Sequence, residues 1–475
     1  MKKILPVLTF LFLAFTARAD FELSDLKWAE DVGARVVPKG EKVYNVNDYG
    51  AKPDGITLNS KTIQAAIDAC NAVGGGVVTF GEGDYLTGSI YVKEGVTLDI
   101  PEGTRILGST DIADYPVIDT RVAGIEMKWP SALINVLKQK NVMITGKGIV
   151  HAQGKVFWDK YWTMRRDYEQ RGLRWIVDYD CDRPRTLLVQ ESQDVTLSGI
   201  TLQQAGFWTV QVLYSEYCTV DGLVIQNNID GHGPSTDGVD IDSSRKILVE
   251  NCDIDCNDDN FCLKAGRDSD GLRVNRPTEY VVIRNCIARK GAALFTCGSE
   301  TSGGIRNILV HDMKGDGPSS GFLIKSAMVR GGTVENIYIK NIDLNKIRTA
   351  INVNMNWNPS YSYSKLPAEY EGKELPEHWT KLLTVVSPEQ GTPHFRNINL
   401  SNYRVTGATT ALSVAGVENS MIENFNLDNV YIQAANGGSV SYARNWKLNN
   451  VTIESGTPLT VKDSENVNFP SVETK

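Results

Sequence analysis

The chain has 475 residues, 41% of them hydrophobic and 22% charged, the make-up of an ordinary soluble globular protein. Its net charge of −8 argues against nucleic acid as a partner, because phosphate binding needs a basic face. A local Lys/Arg cluster could still hold an acidic sugar.

Residues 1–20 read MKKILPVLTFLFLAFTARAD. Two lysines, an apolar run and Ala17-Arg18-Ala19 predict a secretory signal over 1–19, cleaved after Ala19. The run is too short to span a membrane, and no second one follows. No Cys lies near the cleavage site to carry a lipid. The short basic start suits a bacterium, so the expected location is periplasmic or extracellular. Residues 20–475 are read as a single domain.

YNVNDYGAKPDG (44–55) predicts a strand and turn. SKTIQAAIDACNAVGGG (60–76) predicts a short amphipathic helix with a Ser cap and a Gly stop. Such a helix suits the open end of a repeat stack, which must be covered. VVTFGEGDYLTGSIYV and GVTLDIPEGTRILGS then begin a repeating pattern.

The pattern is an alternating apolar run, a turn residue and another alternating run. Copies are MITGKGIV, TLSGITLQ, TVDGLVIQ, LVENCDID, VIRNCIAR, LVHDMKGD, YIKNIDLN, NLSNYRVT, NLDNVYIQ and KLNNVTIE. The turn positions are Gly146, Gly199, Gly222, Asn251, Asn285, Asp312, Asn341, Asn402, Asn429 and Asn450. Most lie roughly 20 to 35 residues apart, one coil of a solenoid. Each run reads as a half-buried strand, and Gly or Asn tolerates the left-handed corner. A coil cannot bury its own inner face, but stacked coils can. The predicted fold is all-β: a right-handed parallel β-helix, with Asn ladders at its corners. A leucine-rich repeat would need regular Leu spacing and a helical half, and a β-propeller would need longer antiparallel blades.

Two gaps in the repeat predict loop insertions near 155–185 and 355–392. The first carries Trp158, Trp162, Trp175 and many Arg. The second carries Trp357, Tyr361, Tyr363, Tyr370 and Trp379. Aromatic faces stack on sugar rings, so these loops are expected to wall a cleft. Eight Cys and five His show no metal-ligand spacing, and neither a metal nor a cofactor is expected. Cys252 and Cys286 occupy matching repeat positions and read as core residues.

A second column of strands carries the chemistry: GVDIDSS (238–244), NFCLKAG (260–266), LFTCGSE (294–300), FLIKSAM (322–328) and INVNMN (351–356). Asp237 enters the first strand; Asp258 and Asp259 enter the second. Three carboxylates from adjacent coils can converge for acid-base hydrolysis of a glycosidic bond. Lys264 and Lys325 share the sheet. Asp240 and Asp242 alternate with Val239 and Ile241 and read as a solvated strand face.

These residues resemble glycoside hydrolase family 28, the polygalacturonase family. The similarity lies in Ser235-Thr236-Asp237, Asp258-Asp259, GSETSGGIRNI (298–308), GFLIKSAMVRGGTVENI (321–337) and the opening YNVNDYGAKPDGITLNSKTIQAAIDAC. The resemblance implies an inverting hydrolase of pectic chains. Asp258 would be the acid, and Asp237 with Asp259 the base. Inversion implies an acid–base gap of roughly 6.5–9.5 Å. Lys325 would bind substrate, with Lys264, Arg267 and Arg330 as further partners for a uronate.

Two motifs depart from the family. Gly291-Ala292-Ala293 stands where it carries Gly-His-Gly, and Leu323-Ile324-Lys325 where it carries Arg-Ile-Lys. The departures favour a branched or differently substituted pectic substrate, cut from its end. The protein is expected to be a monomer. The literal Gly231-His232-Gly233 precedes the Asp237 motif, and His232 is expected at the cleft rim. The residues alone also admit a Ca²⁺-assisted polysaccharide lyase on the same fold, or a carbohydrate-binding solenoid without activity.

Overall fold

In the computed structural model, the described residues are 21–469 and the short strand Glu473–Thr474. The signal segment lies outside them. Strands follow one another around the coil and pair in parallel with their counterparts one coil on. The register is regular: Val239↔Phe261, Phe261↔Phe295, Phe295↔Phe322 and Phe322↔Ile351 link successive coils of one sheet. This is the right-handed parallel β-helix anticipated above, and parallel crossovers favour that hand.

The corners explain why the chain coils. Every turn residue named above has a positive φ, from 49° at Asn450 to 125° at Gly146. The asparagines also stack. Asn285 donates to Asn251 at 2.5 Å, Asn402 to Asn341 at 2.9 Å, Asn429 to Asn402 at 2.7 Å and Asn450 to Asn429 at 2.9 Å. Inside, one apolar cluster runs the length of the stack, from Tyr44 to Val467. Cys252 and Cys286 belong to it, and all eight cysteines are free and buried.

The helix Ser60–Ala72 closes the N-terminal end, with Ile63, Ala66, Ile67 and Cys70 fully buried against the first coils. It starts with Ser60 inside it rather than as its cap. The Ser60 hydroxyl instead accepts from the Gly88 amide at 2.8 Å.

Three segments pack over one face of the solenoid. One is an antiparallel hairpin, Val117–Val122 with Ile125–Pro130, which the repeat pattern does not reveal. The other two are the insertions, and they are largely helical rather than looped: Lys155–Gln170 and Val177–Asp180, then Pro359–Ser362, Glu377–Leu383 and Pro388–Gly391. Their own apolar cluster includes Val122, Trp129, Trp175, Tyr179, Phe207 and Trp379. The Trp175 and Trp379 rings meet edge to face at 5.4 Å, tying one insertion to the other.

Candidate active site

Strand alternation sets the site's floor. Val239, Ile241, Phe261 and Leu263 point into the core, so Asp240, Asp242, Cys262 and Lys264 point out. Asp237 precedes the first of these strands, and Asp258-Asp259 the second. The Gly238 amide donates to the Asp259 carbonyl at 2.9 Å, bringing the two approaches together. One oxygen from each of Asp237, Asp258 and Asp259 lies within 4.8 Å of the others.

The coil pitch sets this closeness: Asp237 is one strand spacing, about 4.8 Å, from an adjacent Asp pair, and nearest oxygens this close are compatible with either separation of whole carboxyl groups. The spacing therefore does not assign the stereochemical course.

The acids differ in their surroundings. Asp259 is fully buried and held at both oxygens, by the Thr296 hydroxyl and the Lys325 ammonium, each at 2.8 Å. Asp258 is the most exposed of the three; burial, then the nearby Asp259 charge, raises its carboxyl above the usual range. Asp237 is pushed well up by burial, then by Asp240 and Asp258. Lys264 lies near three carboxyl groups, Asp240 and Glu300 at 3.5 Å and Asp237 at 3.6 Å. Burial would raise Glu300, but Lys264, Arg330, Lys325 and Arg267 outweigh it and hold it at about 2.

A narrow pocket of about 80 Å³ opens above these groups. Its lining includes Asp237, Asp258, Asp259, Lys264 and Lys325. It also includes Ala123 from the hairpin tip, Arg174 and Asp178 from the first insertion, and Trp357 and Tyr361 from the second. Phe207 and Trp208 stack at 5.0 Å to form an aromatic wall. The hairpin tip is pinned in place: Tyr179 donates to the Ala123 carbonyl at 2.7 Å, and the Arg267 amide to the Gly124 carbonyl at 2.8 Å. The hairpin tip thereby forms one fixed wall of the pocket.

The other sequence candidates lie elsewhere. Arg267 and Arg330 are fully buried behind the pocket. Arg267 donates to Tyr179 at 2.8 Å and the Tyr361 carbonyl at 2.7 Å, and Arg330 to Asp268 at 2.7 Å. Their guanidiniums hold the walls and do not face the pocket. His232 is exposed, pairs with Asn228 at 3.0 Å and is not among the lining residues. Asp240 and Asp242 point outward as expected, but they are buried, because the hairpin and insertions cover that face. Asp242 meets the buried Arg121 at 2.9 Å. Of the first insertion's tryptophans, Trp158 and Trp175 are buried in packing and do not wall the cleft.

Arg174, Asp178, Glu300, Phe207 and Trp208 are lining residues that the sequence reading did not select. The i,i+4 spacing of Arg174 and Asp178 was the available signal. Among the described residues, two acid groups are close enough to hold a cation: Asp237 with Asp240 and Cys262, and the three acids above. Each already faces a lysine ammonium, Lys264 or Lys325.

A parallel β-helix with a carboxylate cluster under an aromatic pocket defines a class, the carbohydrate-active enzymes built on this solenoid. The profile of "Glycosyl hydrolases family 28" matches residues 95–369. The chain belongs to that family. It is 29% identical over 340 residues to a probable polygalacturonase of Vitis vinifera, covering 69% of this chain and 65% of that protein. It is 24% identical over 458 residues to an exo-poly-alpha-D-galacturonosidase of Dickeya chrysanthemi, covering 87% and 71%. In three dimensions it resembles an exopolygalacturonase of Thermotoga maritima, with TM-score 0.73, 24% identity and coverage of 94% and 97%.

Proposed function

We propose that this protein is an exported, monomeric hydrolase of pectic polysaccharide or oligosaccharide, of galacturonide or rhamnogalacturonan type, acting from the chain end. The observation that carries the reading is the convergence of Asp237, Asp258 and Asp259 in a pocket that the hairpin tip helps to wall. A wall on that side favours a chain terminus over a continuous chain. The relatives named as polygalacturonase and exo-poly-alpha-D-galacturonosidase support the pectic substrate.

Asp258 is the general acid. Burial raises both Asp237 and Asp258, and of these two Asp258 has more access to the cleft, so it is the one placed to give its proton to the leaving oxygen. Asp259, with Asp237, is the base that takes a proton from water. With both oxygens engaged, Asp259 is poorly placed to attack carbon itself but can still accept a proton. The inverting course rests on this and on the family resemblance. Export rests on residues 1–19; among the described residues, no helix is long and apolar enough to cross a membrane.

The test is product analysis on polygalacturonan, rhamnogalacturonan and oligosaccharides from branched pectins, in the presence of EDTA. Saturated monosaccharide as the first product, with the anomer inverted by NMR, supports the reading. A ladder of oligomers sinks chain-end action. Unsaturated, ultraviolet-absorbing products that EDTA abolishes replace hydrolysis with lyase chemistry.

A further inference from the structure

We propose that Arg174 reads a carboxylate on the bound sugar and makes the pocket selective for a free uronic acid over its methyl ester. This rests on the pectic reading above.

Among the described residues lining the pocket, the cations are Lys264, Lys325 and Arg174. The two lysines are committed to the floor. Lys264 is shared by three carboxyl groups and lies 4.7 Å from the Trp208 ring centroid. Lys325 holds Asp259 at 2.8 Å and lies 4.6 Å from the Trp357 ring centroid. Both are buried. The next outward position on the sheet is apolar: Leu323 sits between Thr296 and Asn352 in the strand register. The floor is thus rich in acids and offers a sugar carboxylate little attraction.

Arg174 differs. It comes from the insertion, over the floor, and its side chain keeps 13% of its surface exposed. Nη1 donates to Asp178 at 2.7 Å, and the guanidinium lies 5.0 Å from the Tyr361 ring centroid, so the fork is held in one orientation. Nη2 has no hydrogen-bond partner among the described residues. Asp178 does not cancel the charge, because it also serves the fully buried Arg183 at 3.2 Å. Burial opposes ionisation of Asp178, but the two arginines outweigh it and hold its carboxyl below the usual range. Arg174 Nε also lies 3.8 Å from Glu169, which Arg165 holds at 2.8 Å, so three guanidiniums share two carboxylates and leave one positive charge at the wall. A preorganised guanidinium fork with spare N–H groups suits a carboxylate and offers a methyl ester far less.

The experiment compares the wild-type protein with Arg174→Gln and Arg174→Lys on free-acid and fully methyl-esterified oligogalacturonides. The wild type prefers the free acid. R174Q lowers kcat/KM on the free acid roughly ten- to a hundredfold, mainly through KM, and lowers the ester rate less, so the preference for the free acid narrows. R174K keeps the charge beside Asp178 but loses the fork, and shows an intermediate preference. Equal losses on both substrates, or a wild-type preference in R174K, overturn the proposal and leave the hydrolase reading intact. A wild-type protein inert on both substrates overturns the pectic reading itself, and this proposal with it.

Discussion

Asp240 gives the sharpest link between the site and the stability of the fold. It is fully buried, neither carboxyl oxygen has a hydrogen-bond partner, and the Lys264 ammonium is 3.5 Å away. Burial is the largest cause raising its carboxyl to about 8; Lys264 opposes the rise, and Asp259 and Glu300 add to it. In the unfolded chain the same group ionises near 3.8. Between those values the unfolded chain has released the proton and the folded chain still holds it. The contribution to stability is therefore complete below the unfolded value and is lost as pH rises through about 8. At about 1.4 kcal/mol per pH unit, the gap sets a ceiling of ~6 kcal/mol. Proton sharing with Asp237 and relaxation around Lys264 bring this to ~2–3 kcal/mol. Asp240→Asn keeps the shape and removes the proton. Urea unfolding at pH 5 and pH 8 reads the difference. The wild type should lose ~2–3 kcal/mol more than D240N between the two. Parallel pH dependences in the two proteins would refute the reasoning.

Three further outcomes follow from other contacts. Lys325→Met leaves Asp259 buried without its ammonium; thermal and urea unfolding should show a loss of ~3–5 kcal/mol, and turnover should collapse while the β-rich circular dichroism remains. Asn402→Ala removes two hydrogen bonds of the corner ladder and places Ala where φ is 53°; it should cost ~1–2 kcal/mol in urea unfolding, and Asn402→Gly less. Gly124→Ala forces a Cβ to within 2.5 Å of the Arg267 Cβ at a φ of 90°; the hairpin tip should lift, and chromatography of the products should show oligomers joining the monosaccharide.

The sequence discloses what local rules control. Asn251, Asn285 and Asn402 mark corners because they need only a tolerance for positive φ, and the strand columns follow from alternation between corners. The approach of Asp237 to Asp258-Asp259 follows from that repeat alone. Their separation does not, because the coil pitch sets it. Alternation also says which way Asp240 and Asp242 point, but not what covers them. That cover is built from partners distant in sequence, such as Trp175 with Trp379 and Arg121 with Asp242. For the same reason Arg267 and Arg330 read as exposed cations beside the motifs and are instead wall struts. The hairpin 117–130 carries no repeat signature, although its tip lines the pocket.

The most direct test of the central claim is the activity of Asp258→Asn on two substrates that differ only in leaving group. One is a natural galacturonide; the other is a galacturonide whose aryl leaving group departs without protonation. If Asp258 is the general acid, D258N loses roughly 10²–10⁴-fold on the natural linkage and keeps near wild-type turnover on the activated one. Equal losses on both substrates, or undiminished cleavage of the natural linkage, would contradict that role.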